Sequence, residues 1–433
     1  MSEERSVTIS VFAQTDVGKV RQNNEDNFLV ADLTQATYQT ATSQGELVDA
    51  PATIRVGEKG FVAAVSDGMG GALAGEVASD LAVKVVRRLM LKFQSQPEYA
   101  QFPFSEQFRL AVEQANKLIH SQSQTSPHLA GMGATFTGLA YHQGHVYLAQ
   151  VGDSRAYILR GHQIIQATKD QSLVGQLVDA GYLTEEQAQE HVYKNVILQA
   201  LGAQPDTVVV LDRLTLHRND VFLLCSDGLS NKVQGRTLME VISSSANLKQ
   251  AAEQLISLAN ERGGEDNITV VLCQFIGDDL PPSAPDILDI NRVERDESLP
   301  VTLLSDLVDP DMSTDEALED TAHPPGVAES PMATQDPEEE SLASRTGGDK
   351  LRLAESSSLL TASPLERNMA RFLIGLLIVI VLGAVLAVVW YLRLWREKDQ
   401  NPMGTPSPSM TMDRNHPKAL SRLIPEYLYH YLT

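Results

Sequence analysis

Short apolar runs of strand length alternate, up to about residue 276, with longer stretches in which apolar positions return every third or fourth residue. The strand-like runs fall at residues 7–12, 60–66, 135–141, 145–151, 155–159, 208–211, 221–226 and 267–275. Between two of them, Gln143-Gly144 predicts a hairpin turn, because its glycine accepts positive φ. Helical spacing sets Ala78, Leu81, Val85 and Leu89 on one face. It does the same for Phe108, Ala111, Val112, Ala115, Leu118 and Ile119, and again for Ala252, Leu255, Ile256 and Ala259. Amphipathic helices among many strands predict sheets covered by helices in one α/β domain over residues 1–277.

The pattern breaks at residue 278. Residues 278–366 hold 22 Asp/Glu against 5 Lys/Arg, with frequent Pro, Ser and Thr. So polar a stretch buries too little apolar surface to offset its ordering entropy, which predicts a disordered, self-repelling linker. Residues 372–392 (FLIGLLIVIVLGAVLAVVWYL) then carry no charge over 21 positions. At about 1.5 Å per residue they reach roughly 32 Å, the thickness of a hydrocarbon core of about 30 Å. With Trp390, Tyr391 and Trp395 at one end, they predict a single transmembrane helix. Arg367 and Arg371 before the span, against Arg393, Arg396 and Lys398 after it, slightly favour a cytoplasmic C-terminus. Exporting the whole preceding chain would need a signal, and Met1-Ser-Glu-Glu-Arg5 lacks a basic start followed by an apolar run. The expected arrangement is therefore a cytoplasmic N-terminal domain, with residues 393–433 as a short external tail.

The chain has 433 residues, 43% hydrophobic, with net charge −22 and pI near 4.8. That acidity argues against nucleic acid as a partner, since phosphate-backbone binding needs a basic face. Cys225 and Cys273, the only two cysteines, both sit in apolar runs and predict buried free thiols rather than a disulfide framework. Neither opens a Cys-x5-Arg loop, which excludes the cysteine-nucleophile phosphatases.

Candidate chemistry lies in five short segments, each with an aspartate where a strand meets a turn. They are Arg21-Gln22-Asn23-Asn24-Glu25-Asp26-Asn27, Val65-Ser66-Asp67-Gly68-Met69-Gly70-Gly71, Val151-Gly152-Asp153-Ser154-Arg155, Cys225-Ser226-Asp227-Gly228 and Glu265-Asp266-Asn267. Any one of them alone is an ordinary turn. Together they gather negative charge at one end of an apolar core, an arrangement that needs protons or cations to compensate it. Oxygen donors, with no His in any of the segments, select Mg²⁺ or Mn²⁺. A pair of such ions about 3.5–4 Å apart suits phosphoester hydrolysis. Arg21, close before Glu25 and Asp26, is placed to clamp a phosphate. The glycines after Asp67 let the backbone approach an ion, so that the Gly68 carbonyl becomes a candidate ligand.

In this order and spacing the segments resemble the metal-dependent protein phosphatase (type 2C) family in its bacterial form, over roughly residues 6–275. The resemblance implies an α+β fold: a four-layer α-β-β-α sandwich with two central antiparallel sheets. It implies two core Mn²⁺ or Mg²⁺ ions bridged by Asp67, with the Gly68 carbonyl as a further ligand. Asp227 and Asp266 would complete one shell, and Glu25 and Asp26 would act near both ions, partly through water. Asp153, together with Asp227, would serve a weaker third ion, and Arg21 would receive the substrate phosphate. Residues 168–202 would form the flap beside the site. Metal-activated water would then hydrolyse phosphoserine or phosphothreonine, with phosphorylated proteins as substrates and a serine/threonine kinase and its targets as partners.

Three positions depart from the family pattern: Met69 stands where relatives outside bacteria often carry His, Ala134 where Thr is usual, and Val192 follows His191 where Pro is common. None is a metal position. Residues 31–59 exceed the family's minimal loop and predict an added surface hairpin. The competing reading, a catalytically dead phosphoprotein-binding module, is opposed by the retained Asp26, Asp67, Asp227 and Asp266.

Overall fold

A computed structural model describes residues 7–41, 52–278, 280–283 and 289–296. The chain separates into two units, Met1–Ala328 and Glu329–Thr433, and every described residue falls in the first. The strands begin with β1 (Val7–Asp16), β2 (Asp26–Asp32), β3 (Thr37–Thr40), β4 (Ala52–Val56) and β5 (Phe61–Met69). Two long helices follow, α1 (Ala72–Ser95) and α2 (Phe104–Thr125). Next come β6 (Gly133–Ala134), β7 (Phe136–His142), β8 (His145–Val151), β9 (Arg155–Arg160) and β10 (Gln163–Gln166), then the short helices α3 (Leu173–Asp179) and α4 (Glu185–Glu190). β11 (Val210–Thr215) and β12 (Val221–Cys225) lead into α5 (Asp227–Ser230), α6 (Gly235–Ser244) and α7 (Leu248–Glu261). β13 (Ile268–Ile276) and β14 (Ile290–Arg292) complete the order.

The strands form two antiparallel sheets. One runs β10-β9-β12-β13-β1-β4, and the other β14-β11-β8-β7-β5-β2-β3 with β6 paired to β5. Successive side chains on a strand point to opposite faces, and here both faces are buried. Phe28, Val30, Ala63, Val65, Val271 and Cys273 meet in the core between the sheets. Their neighbours Leu29, Ala31, Val62 and Ala64 face α1 and α2, while Leu272, Leu223 and Cys225 face α6 and α7. The result is the expected helix-sheet-sheet-helix sandwich. Double-sided burial also explains why the strands read as continuous apolar runs rather than as an apolar/polar alternation. The hairpin joining β7 and β8 turns on Gln143 (φ 48) and Gly144 (φ 85), two left-handed residues that match the twist of the strands.

Two expectations change. Residues 31–59 do more than add a hairpin: β3 folds back on β2 across residues 33–36 in one sheet, whereas β4 pairs with β1 in the other. The domain also continues past residue 277, where the linker was expected to begin. Ile290–Arg292 pair with Leu214–Asp212 as the outermost strand of the second sheet. Beside them, buried Arg109 donates to the carbonyls of Val209 at 3.0 Å and Val293 at 2.5 Å, and pairs with buried Glu106 at 3.3 Å. Arg292 holds Asp212 at 2.7 Å, and Arg295 grips Glu113 through two bonds of 2.6 and 3.1 Å. Local composition hid this, because the residues that recruit the segment lie in α2 and β11.

A chain ending at residue 277 should therefore be less stable than one ending at 296, by about 2–4 kcal/mol, since it leaves Asp212 and Arg109 short of partners. Urea unfolding of the two chains measures this, and equal midpoints would show β14 to be dispensable. Residues 42–51, the remainder of the linker, the apolar span 372–392 and the tail 393–433 lie outside the described residues. Among the described residues no helix is long and apolar enough to cross a membrane.

Candidate active site

The aspartate-bearing turns lie at one end of the sandwich because the strands are antiparallel, so that the end of one abuts the start of the next. β2 starts at Asp26 and β5 carries Asp67 near its end, and the two are direct cross-strand partners. Asp153 lies between β8 and β9, Asp227 follows β12, and Asp266 precedes β13. Asp67 feels the charges of Asp26, Asp227, Asp153 and Asp266. Asp153 feels Asp227, and Asp266 acts on Glu25, Asp26, Asp67 and Asp227. All six predicted acidic residues thus reach one site. Cys225 and Cys273 are buried free thiols, as expected, and burial pushes both up, Cys225 to about 12, which removes them as nucleophiles.

Hydroxyl side chains hold the acids in place. Ser226 and Thr269 each donate to Asp26 Oδ2 at 2.7 Å. Thr135 Oγ1 accepts from the Asp67 amide at 2.9 Å, its own amide donates to the Asp67 carbonyl at 2.8 Å, and its hydroxyl meets Ser154 at 2.8 Å. The hydroxyl that serves Asp67 therefore belongs to Thr135, so the neighbouring Ala134 removes nothing from the site. On the other side, the Glu25 carbonyl accepts from the Gly68 amide at 3.1 Å and from Ser79 Oγ at 2.6 Å. Motif reading passed over Thr135, Ser226 and Thr269, although Ser226 sits in a quoted segment, Thr269 just after another and Thr135 next to Ala134.

Two glycines are fixed by close approach. A Cβ on Gly68 would fall onto the main-chain carbonyls of Gly75 and Glu25, whereas one on Gly75 would meet the Glu25 carboxylate. Gly68→Ala should thus cost about 1–3 kcal/mol of stability as well as activity, because backbone cannot swing aside. Gly75→Ala should cost less, because the nearest atom is the movable Glu25 carboxylate, although a contact of 3.0 Å with the Gly68 main-chain carbon offsets the gain in helix propensity. It should still lower turnover by displacing Glu25. Urea midpoints and hydrolysis rates on both variants check the contrast.

The site is short of positive charge. Burial, then Asp227 and Asp266, push Asp26 up to about 7 despite its two hydroxyl bonds. Burial, then Asp227 and Asp170, push Asp153 up to about 8. Burial, then Asp266, carries Asp227 to about 6, and burial with four neighbouring aspartates raises Asp67 well above its usual range. Asp153 Oδ1 and Asp227 Oδ1 are buried and accept no hydrogen bond. Such orphaned anionic oxygens fit a hard divalent cation, which takes oxygen ligands only. Among the described residues no three of these groups stand close enough to enclose an ion as they lie.

Arg21 sits on the β1–β2 loop, nearly half exposed, with Nη2 on Asp266 Oδ2 at 3.0 Å. The flap is rooted beside Asp153. Gln171 exchanges two bonds with Gly152, at 2.8 and 2.9 Å, and Arg155 clasps Asp170 from Nε and Nη2 at 3.0 and 2.7 Å. α3 and α4 start on the side-chain caps Ser172 and Thr184, the latter a capping box with Gln187.

A model of the protein phosphatase 2C family matches residues 42–272. The chain belongs to the protein phosphatase 2C family. The family match begins after Arg21, Glu25 and Asp26 and stops before β14. The serine/threonine phosphatase stp of Listeria monocytogenes is 33% identical over 265 residues, 60% of this chain and 94% of that protein. The structure of the S. agalactiae serine/threonine phosphatase is 30% identical, covers 61% of this chain and 98% of that one, and has a TM-score of 0.51. The catalytic domain of the serine/threonine protein phosphatase PstP, solved in complex with two manganese ions, is 31% identical over 62% of this chain and 99% of that one, at a TM-score of 0.49.

Proposed function

We propose that this chain hydrolyses phosphoserine and phosphothreonine in proteins at a centre that takes two Mn²⁺ or Mg²⁺ ions, with a third more weakly held. The observation that carries the reading is the acidic cluster itself: Asp26 and Asp67 paired across β2 and β5, and two buried carboxylate oxygens on Asp153 and Asp227 that accept nothing. Asp67, Gly68, Asp227 and Asp266, with Glu25 and Asp26 beside them, are the residues that would hold the core ions, and Asp153 with Asp227 the third. When bound, the ions supply Lewis-acid charge that activates water and neutralises phosphate oxygens.

The protein's own groups do the remaining work. Arg21 offers the guanidinium donors not engaged by Asp266 to the incoming phosphate, a charge-assisted and geometrically selective grip. Ser226 and Thr269 fix Asp26 through its Oδ2, and Thr135 ties down the Asp67 main chain. No protein nucleophile is involved. The full chain should release phosphate from a phosphothreonine peptide with Mn²⁺ and stop when the ion is chelated. Undiminished turnover in chelator would sink the reading. Calorimetry separates the dead-module alternative, which predicts no Mn²⁺ binding at millimolar ion.

The proposal extends to location. Residues 372–392 anchor the enzyme in a membrane as a single-pass helix, and the phosphatase domain lies on the cytoplasmic side. The support is the uncharged 21-residue span and the acidic stretch before it. Tethering raises the effective concentration of the enzyme toward membrane-bound phosphoproteins, among them a serine/threonine kinase and its targets, whose action it opposes. Recovery of the full-length protein in the soluble fraction after lysis would remove the anchor from this account.

A further inference from the structure

The segment Glu265-Asp266-Asn267 contributes more than its carboxylate. Asn267 is buried, 4% exposed, at the start of β13. Its Nδ2 donates to the Val17 carbonyl at 2.9 Å and to the Asn23 carbonyl at 3.0 Å. Its Oδ1 accepts the Glu25 amide at 2.8 Å. Both donors and one acceptor site of the amide are thus committed, and all three partners lie on the one loop that carries Arg21. Val17 is its entrance, and Asn23 and Glu25 are its exit.

One other side chain spans the loop: Asn24, at its exit, donates to Thr15 Oγ1 near the end of β1 at 2.8 Å, whereas Asn267 grips Val17, Asn23 and Glu25 together. Lys19 bonds the Gly264 carbonyl at 2.7 Å, and Gly18, at φ 79, lies flat against the Asp266 carbonyl. Those contacts seat the entrance side of the loop, whereas Asn267 reaches from the entrance to the exit and is the side chain adjacent to Asp266. Arg21 and Asp266 must meet at 3.0 Å for the guanidinium to face the site. Asn267 is bonded to one residue's loop and adjacent in sequence to the other.

We infer that Asn267 is a positioning residue for substrate phosphate, holding the Val17–Glu25 loop so that Arg21 points at the acidic centre. This rests on the phosphatase reading, with Arg21 as phosphate receiver. Asparagine is required because a carboxylate of the same shape would keep the bond from Glu25 but set lone pairs against two carbonyls.

The test is a double-mutant cycle on the full chain with a phosphothreonine peptide and Mn²⁺. Asn267→Asp should raise KM about tenfold and change kcat less than about threefold, as expected for lost hydrogen bonds that act through a loop. In an Arg21→Ala background the same substitution should move KM less than about twofold, because its effect passes through Arg21. An equal rise in KM in both backgrounds overturns the inference. Hydrogen exchange on chelated protein gives a second readout independent of activity. Amides of residues 17–25 should exchange faster in Asn267→Asp, with those of Ile268–Ile276 unchanged. Unaltered exchange in the loop, or a general rise that includes β13, overturns it as well. An inactive wild type would remove the phosphatase reading and leave the exchange result standing.

Discussion

Asp67→Asn is expected to reduce kcat/KM toward a phosphothreonine peptide by on the order of a thousand-fold, about 4 kcal/mol of transition-state stabilisation. The substitution keeps the side-chain shape. The main-chain bonds with Thr135 stay, so β5 should not move. What disappears is the charge at the position that faces Asp26, Asp227, Asp153 and Asp266. Because the acids crowd one another, the same change should raise the stability of the chelated protein, on the order of 1 kcal/mol, as a like-charge repulsion is removed. Opposite signs for activity and stability mark a residue kept for chemistry. Steady-state kinetics and thermal melts in chelator read the two together. A variant that loses stability along with activity would show Asp67 to be holding the fold.

The second large effect is the pH dependence of the chelated protein. Asp26, Asp153 and Asp227 stand at about 7, 8 and 6 in the folded chain, against an ordinary 3.8. Between those limits the native state holds protons that the unfolded chain releases, so stability falls as pH rises. It is fully present below about pH 4 and lost progressively through pH 6 to 8. A single unit of net shift is about 1.4 kcal/mol, or about 3–5 °C in melting midpoint for a domain of this size. Chelated protein should therefore melt higher at pH 5 than at pH 8. Excess Mn²⁺ or Mg²⁺ should flatten the profile. His142 and His145, depressed by burial, contribute with the opposite sign, because they favour the native state as pH rises. The Asp67→Asn variant isolates the carboxylates, since it should reduce the slope while both histidines stay. A melting profile in chelator that rises toward pH 8 would contradict the charge crowding.

Strands covered by helices were legible in short apolar runs such as Phe61–Val65, bounded by turns and interleaved with amphipathic helices, whereas the two-sheet plan came from the family resemblance. The acids were legible because carboxylates at strand ends are costly without a cation. β2 was missed at the point where the site begins: Asp26 and Asn27 open the strand, and their polarity masks Phe28–Ala31. β14 was missed for a different reason. Three residues in an acidic stretch have no strand signal of their own, and Arg109, Asp212 and Glu113 supply the interactions from far along the chain. Ser226, Thr269 and Asn267 carry ordinary polar side chains. Their importance lies in which atom each one faces, and periodicity does not encode that.

The outermost position of β14 has a mechanical consequence. Any load arriving through residue 297 is taken first by Arg295 on α2 and by the β11–β14 ladder. From there β11, β8 and β7 stand between it and β5, which carries Asp67. Peeling that edge would sacrifice one short ladder before force reached the acidic centre at the far strand.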